Sequence, residues 1–331
     1  MNATWRVFGP VRSRRLGVSL GVDPLPFGRC SYDCVYCQLG RTRSCRVKRT
    51  GYLDPSHLLV ELQEHLTALG PNKLDWITVV GAGEPTLYTG LGALLSGIRA
   101  LTETKLAVIT NGSLLHRADV REELTAADAV LPSLDAGDER TFRAINRPHT
   151  VLSFEQVLEG LVAFRSEFSG QLWVEVMLVA GLNDGPEALG ALAAALARIE
   201  PDEVHVNVPT RPPAENWVQP PSAGVHHRAA SYLGAAPPHA QPPGPPPPMP
   251  RWVRPDLLES VVSIVGRHPM TARELALTLN VPDEQVVEAW LGALQSERIV
   301  HPVCRFDRVF WTTKMARYEG VQPHGRRRPG R

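Results

Sequence analysis

The chain lacks any apolar run long enough to cross a bilayer. Its longest nearly unbroken stretch, residues 189–199, falls well short of the about 20 residues a spanning helix needs. The first six residues carry no apolar segment of the secretory kind, so a cytoplasmic location with no membrane partner is expected. Aromatic residues are scarce at 6% and spread without a platform for stacking single-stranded bases, which weakens an RNA-binding reading. Cysteines are few and odd in number, five in all. Without a secretion signal they argue against a disulfide framework and for metal binding in a reducing compartment. Apolar residues are not lacking: at 43% of 331 residues they suffice for a sizeable core and exclude global disorder. The length suggests about two domains.

The formal net charge of +1 conceals an uneven distribution. Residues 1–50 hold ten Lys/Arg against two Asp/Glu (+8), residues 51–250 twelve against twenty-three (−11), and residues 251–331 thirteen against nine (+4). A basic region near the cysteines therefore suits an anionic partner. The sharpest boundary is residues 234–250, where nine of seventeen positions are proline. With no amide hydrogens and a fixed φ, such a stretch forms neither helix nor sheet and reads as an extended linker. Upstream, β-like runs at 16–22, 76–80, 106–110, 129–134, 172–179 and 204–208 alternate with helical patterns near 55–69, 90–101, 117–126, 154–167 and 186–199. Six alternations imply an α/β fold with a parallel sheet covered by helices, either an incomplete barrel or a doubly wound sheet. Downstream, helical patterns at about 256–266, 272–279 and 283–297 precede a β-rich segment with Phe306-Asp-Arg-Val309 as a candidate hairpin turn, the order of a winged-helix-like domain. The expected organisation is a core domain at 1–233, a linker at 234–250, a winged-helix-like domain at 251–318 and a disordered basic tail at 319–331.

Cys30-Ser-Tyr-Asp-Cys34-Val-Tyr-Cys37 is a C-x3-C-x2-C run. Thiolates select zinc or iron–sulfur clusters. A structural zinc site needs four ligands, which Cys45 would complete. Three thiolates alone suit a [4Fe–4S] cluster with one iron open to an exchangeable ligand, and an open iron implies chemistry. A second landmark is Trp76-Ile-Thr-Val-Val-Gly81-Ala-Gly83-Glu84-Pro85, a buried strand ending in a small-residue turn with one carboxylate. There Gly81 and Gly83 allow a ligand close to the backbone and Glu84 suits an ammonium group, although a plain βα turn reads the same way.

Together these motifs resemble the radical S-adenosylmethionine (radical SAM) superfamily, whose signature is C-x3-C-x-aromatic-C, here with Tyr36 as the aromatic. The leader Arg12-Ser-Arg14-Arg15-Leu-Gly17 resembles a branch distantly similar to the enzymes that build the tricyclic base of wybutosine in tRNA. The resemblance implies a partial (β/α)6 TIM-like barrel over about residues 10–210. It also implies a [4Fe–4S] cluster held by Cys30, Cys34 and Cys37, with S-adenosylmethionine chelated at the open iron. The family's Gly-Gly-Glu element matches Ala82-Gly83-Glu84, with Ala in the first place. The implied chemistry is reductive cleavage to a 5′-deoxyadenosyl radical, which abstracts hydrogen from a substrate inside a sheltering barrel. Reduced flavodoxin or ferredoxin is the expected electron donor.

Catalytic groups in parallel α/β barrels gather at the C-terminal strand ends. The resemblance makes Asn111, Ser133 and Asp135 candidate ligands of the cofactor's ribose or carboxylate, with ordinary turn capping as the alternative. For the substrate the candidates are Arg12, Arg14, Arg147, Glu175, Asn207 and Arg211. A solvated basic loop is the alternative for the first two, and an ion pair between Arg211 and Glu215 for the last. Cys45 and Cys304 are left outside the cluster. The substrate is not named by the sequence, with an RNA base the leading class and a peptide or metabolite next. The competing function is a metal-binding, winged-helix, redox-responsive regulator of nucleic acid without turnover.

Overall fold

The structure, a computed structural model, describes residues 6–13, 15–70, 74–236 and 257–319. The apolar runs become strands and the amphipathic stretches their crossover helices. In chain order the first part holds β1 (Val7–Ser13), β2 (Gly17–Val22), the two-residue strands β3 (Arg29–Cys30) and β4 (Ser44–Cys45), α1 (Pro55–Leu69) and β5 (Trp76–Val79). Next come α2 (Leu91–Leu101), β6 (Lys105–Thr110), α3 (Ala118–Leu124), β7 (Ala129–Pro132), α4 (Glu139–Ile145) and α5 (Phe154–Glu167). This part ends with β8 (Gln171–Met177), α6 (Pro186–Ile199), β9 (Glu203–Asn207) and α7 (Ala223–Tyr232).

The main sheet runs β1-β2-β5-β6-β7-β8-β9. From β2 to β9 all neighbours are parallel, and only β1 is antiparallel. The strand order never reverses, so this is the partial (β/α)6 barrel and not the doubly wound sheet. No pairing joins β9 to β1 among the described residues, and the barrel stays open between them. Strand side chains are buried on both faces, as parallel sheets require. Leu106, Val130, Leu172 and Val174 pack under the helices with Leu62, Leu94 and Leu161, while Trp76, Ala107, Leu131 and Trp173 form a separate inner cluster. No described helix is long and apolar enough to cross a membrane.

The C-terminal part holds α8 (Leu257–Arg267), α9 (Ala272–Leu279), α10 (Glu284–Ser296), β10 (Val300–Arg305) and β11 (Arg308–Thr313), the helix–helix–helix–hairpin order expected. Thr271 and Glu274 close a capping box on α9. Phe306 and Asp307 take positive φ values of 51° and 56°, as the two-residue hairpin turn requires. Val261, Ile264, Leu275, Val287 and Leu291 make its own core. This part leans on both edges of the open sheet. Arg267 pairs with Asp23 at 2.8 Å, α8 and α9 lie against β1, and Arg211, just past β9, meets the Pro269 carbonyl and Glu274. Residues 237–250 of the expected linker and 320–331 of the expected tail lie outside the described residues.

Candidate active site

The cysteine loop is laid down on two templates. The first is the turn after β5: Glu84 donates its amide to the Arg29 carbonyl at 2.8 Å, and Gly83 forms a bridge with Arg29. A Cβ on Gly83 would stand 1.8 Å from the Arg29 carbonyl oxygen, so only glycine permits this approach. The second template is the chain after α4. The Val35 amide donates to the Ile145 carbonyl (2.9 Å), Asp33 to Asn146 (3.0 Å), and His149 to Ser31 (2.8 Å). Residues 31–35 thus run antiparallel to 145–149, with Arg147 at a positive φ of 44° in the turn. The amide of Cys37 then bonds the Cys34 carbonyl at 3.1 Å, closing the turn between them.

Burial pushes the Cys30 and Cys34 thiols well up, helped by Glu84 for the first and Asp135 for the second, and takes Cys37 up to about 11. Without a cation the loop therefore favours neutral thiols, and a bound metal reverses that preference. Two side-chain amides already point at the sulfurs: Asn111 Nδ2 is 3.5 Å from Cys30 Sγ and Asn146 Nδ2 3.6 Å from Cys34 Sγ. Such donors fit thiolate ligands, so the residues present suit an iron–sulfur cluster. Cys45 faces Cys30 across the β3–β4 pair and donates its thiol to the Ser31 carbonyl at 3.3 Å, and Cys304 lies exposed on β10.

Glu84 is buried and joins two strand ends. Its Oε1 accepts the Thr86 amide (3.0 Å) and the Thr86 and Thr110 hydroxyls (2.6 and 2.5 Å), and its Oε2 accepts the Asn111 amide (2.6 Å). Burial raises its pKa against these four donors. Asp135, just past β7, is a second hub. Its Oδ2 accepts Tyr36 Oη (2.5 Å) and Asn146 Nδ2 (2.6 Å), and its Oδ1 accepts the Met177 amide (2.8 Å). Tyr36 is thereby tied from the cysteine loop to β7 and β8. Burial raises the pKa of both Asp135 and Tyr36. Ser133 stands beside these groups, bridged to Glu175 on the next strand.

The substrate candidates are more dispersed. Glu175 is ion-paired with Arg15, and Asn207 ends β9 with its carbonyl accepting the Leu178 amide at 2.8 Å. Arg12 lies on β1 opposite Val18, and Arg14 lies outside the described residues. The expected Arg211–Glu215 pair is not formed. Glu215 takes Arg147 at 2.5 Å and Arg41 at 2.9 Å, while Arg211 turns to Glu274 at 3.5 Å. Burial pulls the Glu215 carboxyl up, but the two guanidinium groups outweigh it and hold it below the usual range. Sequence reasoning passed over the Asn146 side chain within Asn146-Arg147-Pro148-His149. The signal available was a second asparagine placed, like Asn111, after a strand or helix end of the barrel.

These features define an open parallel barrel with a three-cysteine loop at its C-terminal strand ends. The Radical SAM superfamily model matches residues 25–193. The chain belongs to the radical SAM superfamily, whose enzymes use a [4Fe–4S] cluster and S-adenosylmethionine. A protein named GTPase Obg from Brachyspira hyodysenteriae is 42% identical over 208 residues, 63% of this chain, which spans only 30% of that relative's length. A UPF0026 protein of Methanocaldococcus jannaschii is 39% identical over 218 residues, covering 66% of this chain and 68% of that one. Among solved structures, Streptococcus suis SuiB bound to S-adenosylmethionine aligns with a TM-score of 0.49 at 16% identity, over 69% of this chain and 47% of that one.

Proposed function

We propose that this protein cleaves S-adenosylmethionine reductively and abstracts hydrogen from a second substrate, with Cys30, Cys34 and Cys37 as the cluster ligands. The observation that carries this reading is the C-x3-C-x2-C loop held over the strand ends of the partial barrel by the β5 turn and residues 145–149. When bound, the cluster and S-adenosylmethionine supply one-electron cleavage of the S–C5′ bond. The chain's own part is placement and exclusion of water. Gly83 keeps the backbone open beside the cysteine loop, and Glu84 and Asn111 hold the ends of β5 and β6 in register around it. Tyr36 and Asp135 lock the loop against β7 and β8, and Ser133 and Asn207, at the ends of neighbouring strands, are assigned to the bound molecules. Arg147, Glu175 and Arg211, each held in an ion pair, are the charged groups we assign to the substrate. Arg12 and Arg14 belong to the basic stretch that draws in an anionic substrate.

An RNA base is the substrate class we favour, because the three cysteines lie within residues 1–50, which carry +8. The electron donor is a reduced flavodoxin or ferredoxin, and the site of action the cytoplasm. The core domain is 1–233, the linker 234–250 and the winged-helix-like domain 251–318. The regulator reading gains nothing from α10, the helix that would enter a major groove. It contains no Lys or Arg and exposes Glu284 and Glu288, which a phosphate backbone repels.

The test is anaerobic. Reconstituted, reduced protein releases 5′-deoxyadenosine from S-adenosylmethionine, and Cys34→Ala abolishes the release. A parent that binds S-adenosylmethionine but releases no nucleoside under any reductant contradicts the proposal. For the substrate, RNA nucleosides from cells with and without the protein should differ in one modified base. Identical profiles beside one accumulating metabolite would replace RNA with that metabolite.

A further inference from the structure

The two amides that reach the cysteine loop come from different elements, and each has its orientation fixed by other bonds. Asn146, at the end of α4, gives one hydrogen of Nδ2 to Asp135 Oδ2 at 2.6 Å and directs the other to Cys34 Sγ at 3.6 Å. Both Asp135 oxygens act as acceptors, Oδ2 of Tyr36 and Asn146 and Oδ1 of the Met177 amide, so Asn146 presents its nitrogen there and not its oxygen. Asn111, after β6, receives the Ser113 amide on Oδ1 at 3.0 Å. That leaves its Nδ2 for Ser31 Oγ at 2.9 Å and Cys30 Sγ at 3.5 Å. A neutral thiol accepts hydrogen bonds weakly, whereas a metal-bound thiolate accepts them well. Two oriented donors on two of the three sulfurs are therefore spent on an anionic ligand set.

We propose that Asn146 and Asn111 are positioning residues that raise the reduction potential of the cluster through hydrogen bonds to the Cys34 and Cys30 sulfurs. The inference rests on the reading of those cysteines as cluster ligands. Each N–H directs its positive end at sulfur, so it stabilises the cluster more once an electron has been added. Removing a donor lowers the potential and makes the first electron harder to deliver. Asn146 also holds the loop through its backbone carbonyl, which accepts the Asp33 amide at 3.0 Å, and a side-chain substitution leaves that bond in place.

The experiment is a spectroscopically monitored redox titration of the full-length, anaerobically reconstituted protein without S-adenosylmethionine, comparing the parent with Asn146→Ala and Asn111→Ala. Each variant should carry the parent's iron and sulfide. At the potential where the parent is half reduced, its ratio of reduced to oxidised cluster should be about tenfold lower, or 59 mV for one electron. If Asn146→Ala fails to retain iron, Asn111→Ala carries the test alone. Loaded variants with the parent's potential overturn the inference. So does loss of iron from both, which would assign the amides to loop structure only. A parent that loads zinc in place of a cluster overturns the ligand reading and the inference together, so the two failures are distinguishable.

Discussion

His268 sits where the C-terminal part meets the barrel, with Gln38 Nε2 3.2 Å from its Nδ1 and the Phe8 ring centroid 5.9 Å away. Burial, with the guanidinium groups of Arg211, Arg267 and Arg15 nearby, pushes its imidazole down to about 3. In the unfolded chain the same ring titrates near its ordinary value of about 6.5, so on acidification the unfolded state takes the proton first. The contribution to stability is whole above that value and is lost as pH falls toward 3. One group costs up to about 1.36 kcal/mol per pH unit, so moving from pH 7 to pH 5 removes about 2 kcal/mol. Denaturant unfolding at the two pH values should show a smaller loss in His268→Gln than in the parent. Equal losses would mean that His268 is protonated in the folded protein or is not enclosed at this junction.

At the scale of elements, the stretch just after Cys37 is held by the last described residues of the chain. The Arg41 amide donates to the Arg317 carbonyl at 2.7 Å, and Tyr318 Oη donates to the Gln38 carbonyl at 2.6 Å. Gly40 takes φ 77°, and a Cβ there would lie 2.3 Å from the Arg317 carbonyl oxygen. Gly40→Val combines left-handed strain with expulsion of that segment and should cost at least about 2 kcal/mol. Hydrogen exchange should show the Arg41 amide losing protection while the β5–β7 amides keep theirs. Unchanged protection at Arg41 would show that the two segments do not depend on each other. Contacts of this kind are invisible to sequence periodicity, because Gln38 and Tyr318 lie far apart in the chain. The same holds for residues 145–149 as a template for residues 31–35. β1 is also illegible in the sequence: Gly9, Pro10 and Arg12 interrupt its alternation, although Val7 and Phe8 are buried. α4 and α7 are short and gave no clear periodic signal.

Over the whole molecule, what could be read was what repeats or is local. Six apolar runs became six parallel strands because strand and crossover helix each announce themselves within about a dozen residues. The cysteine spacing and the Gly83-Glu84 turn were local as well. The partners of Glu84, Asp135 and Glu215 were not, since each joins chain segments that only the closed fold brings together. The sheet's open side, between β1 and β9, is where the C-terminal part leans through Arg267 and Arg211. The proposed chemistry depends most on Cys30, Cys34 and Cys37 holding a cluster with one iron left to S-adenosylmethionine. The most direct test is the electron paramagnetic resonance of the reduced, anaerobically reconstituted protein, recorded with and without S-adenosylmethionine alongside a metal count. The expected result is about four iron atoms per chain, dependence on Cys30, Cys34 and Cys37, and a signal that shifts when S-adenosylmethionine is added. A single zinc ion held with the help of Cys45, or a cluster signal indifferent to S-adenosylmethionine, would contradict it.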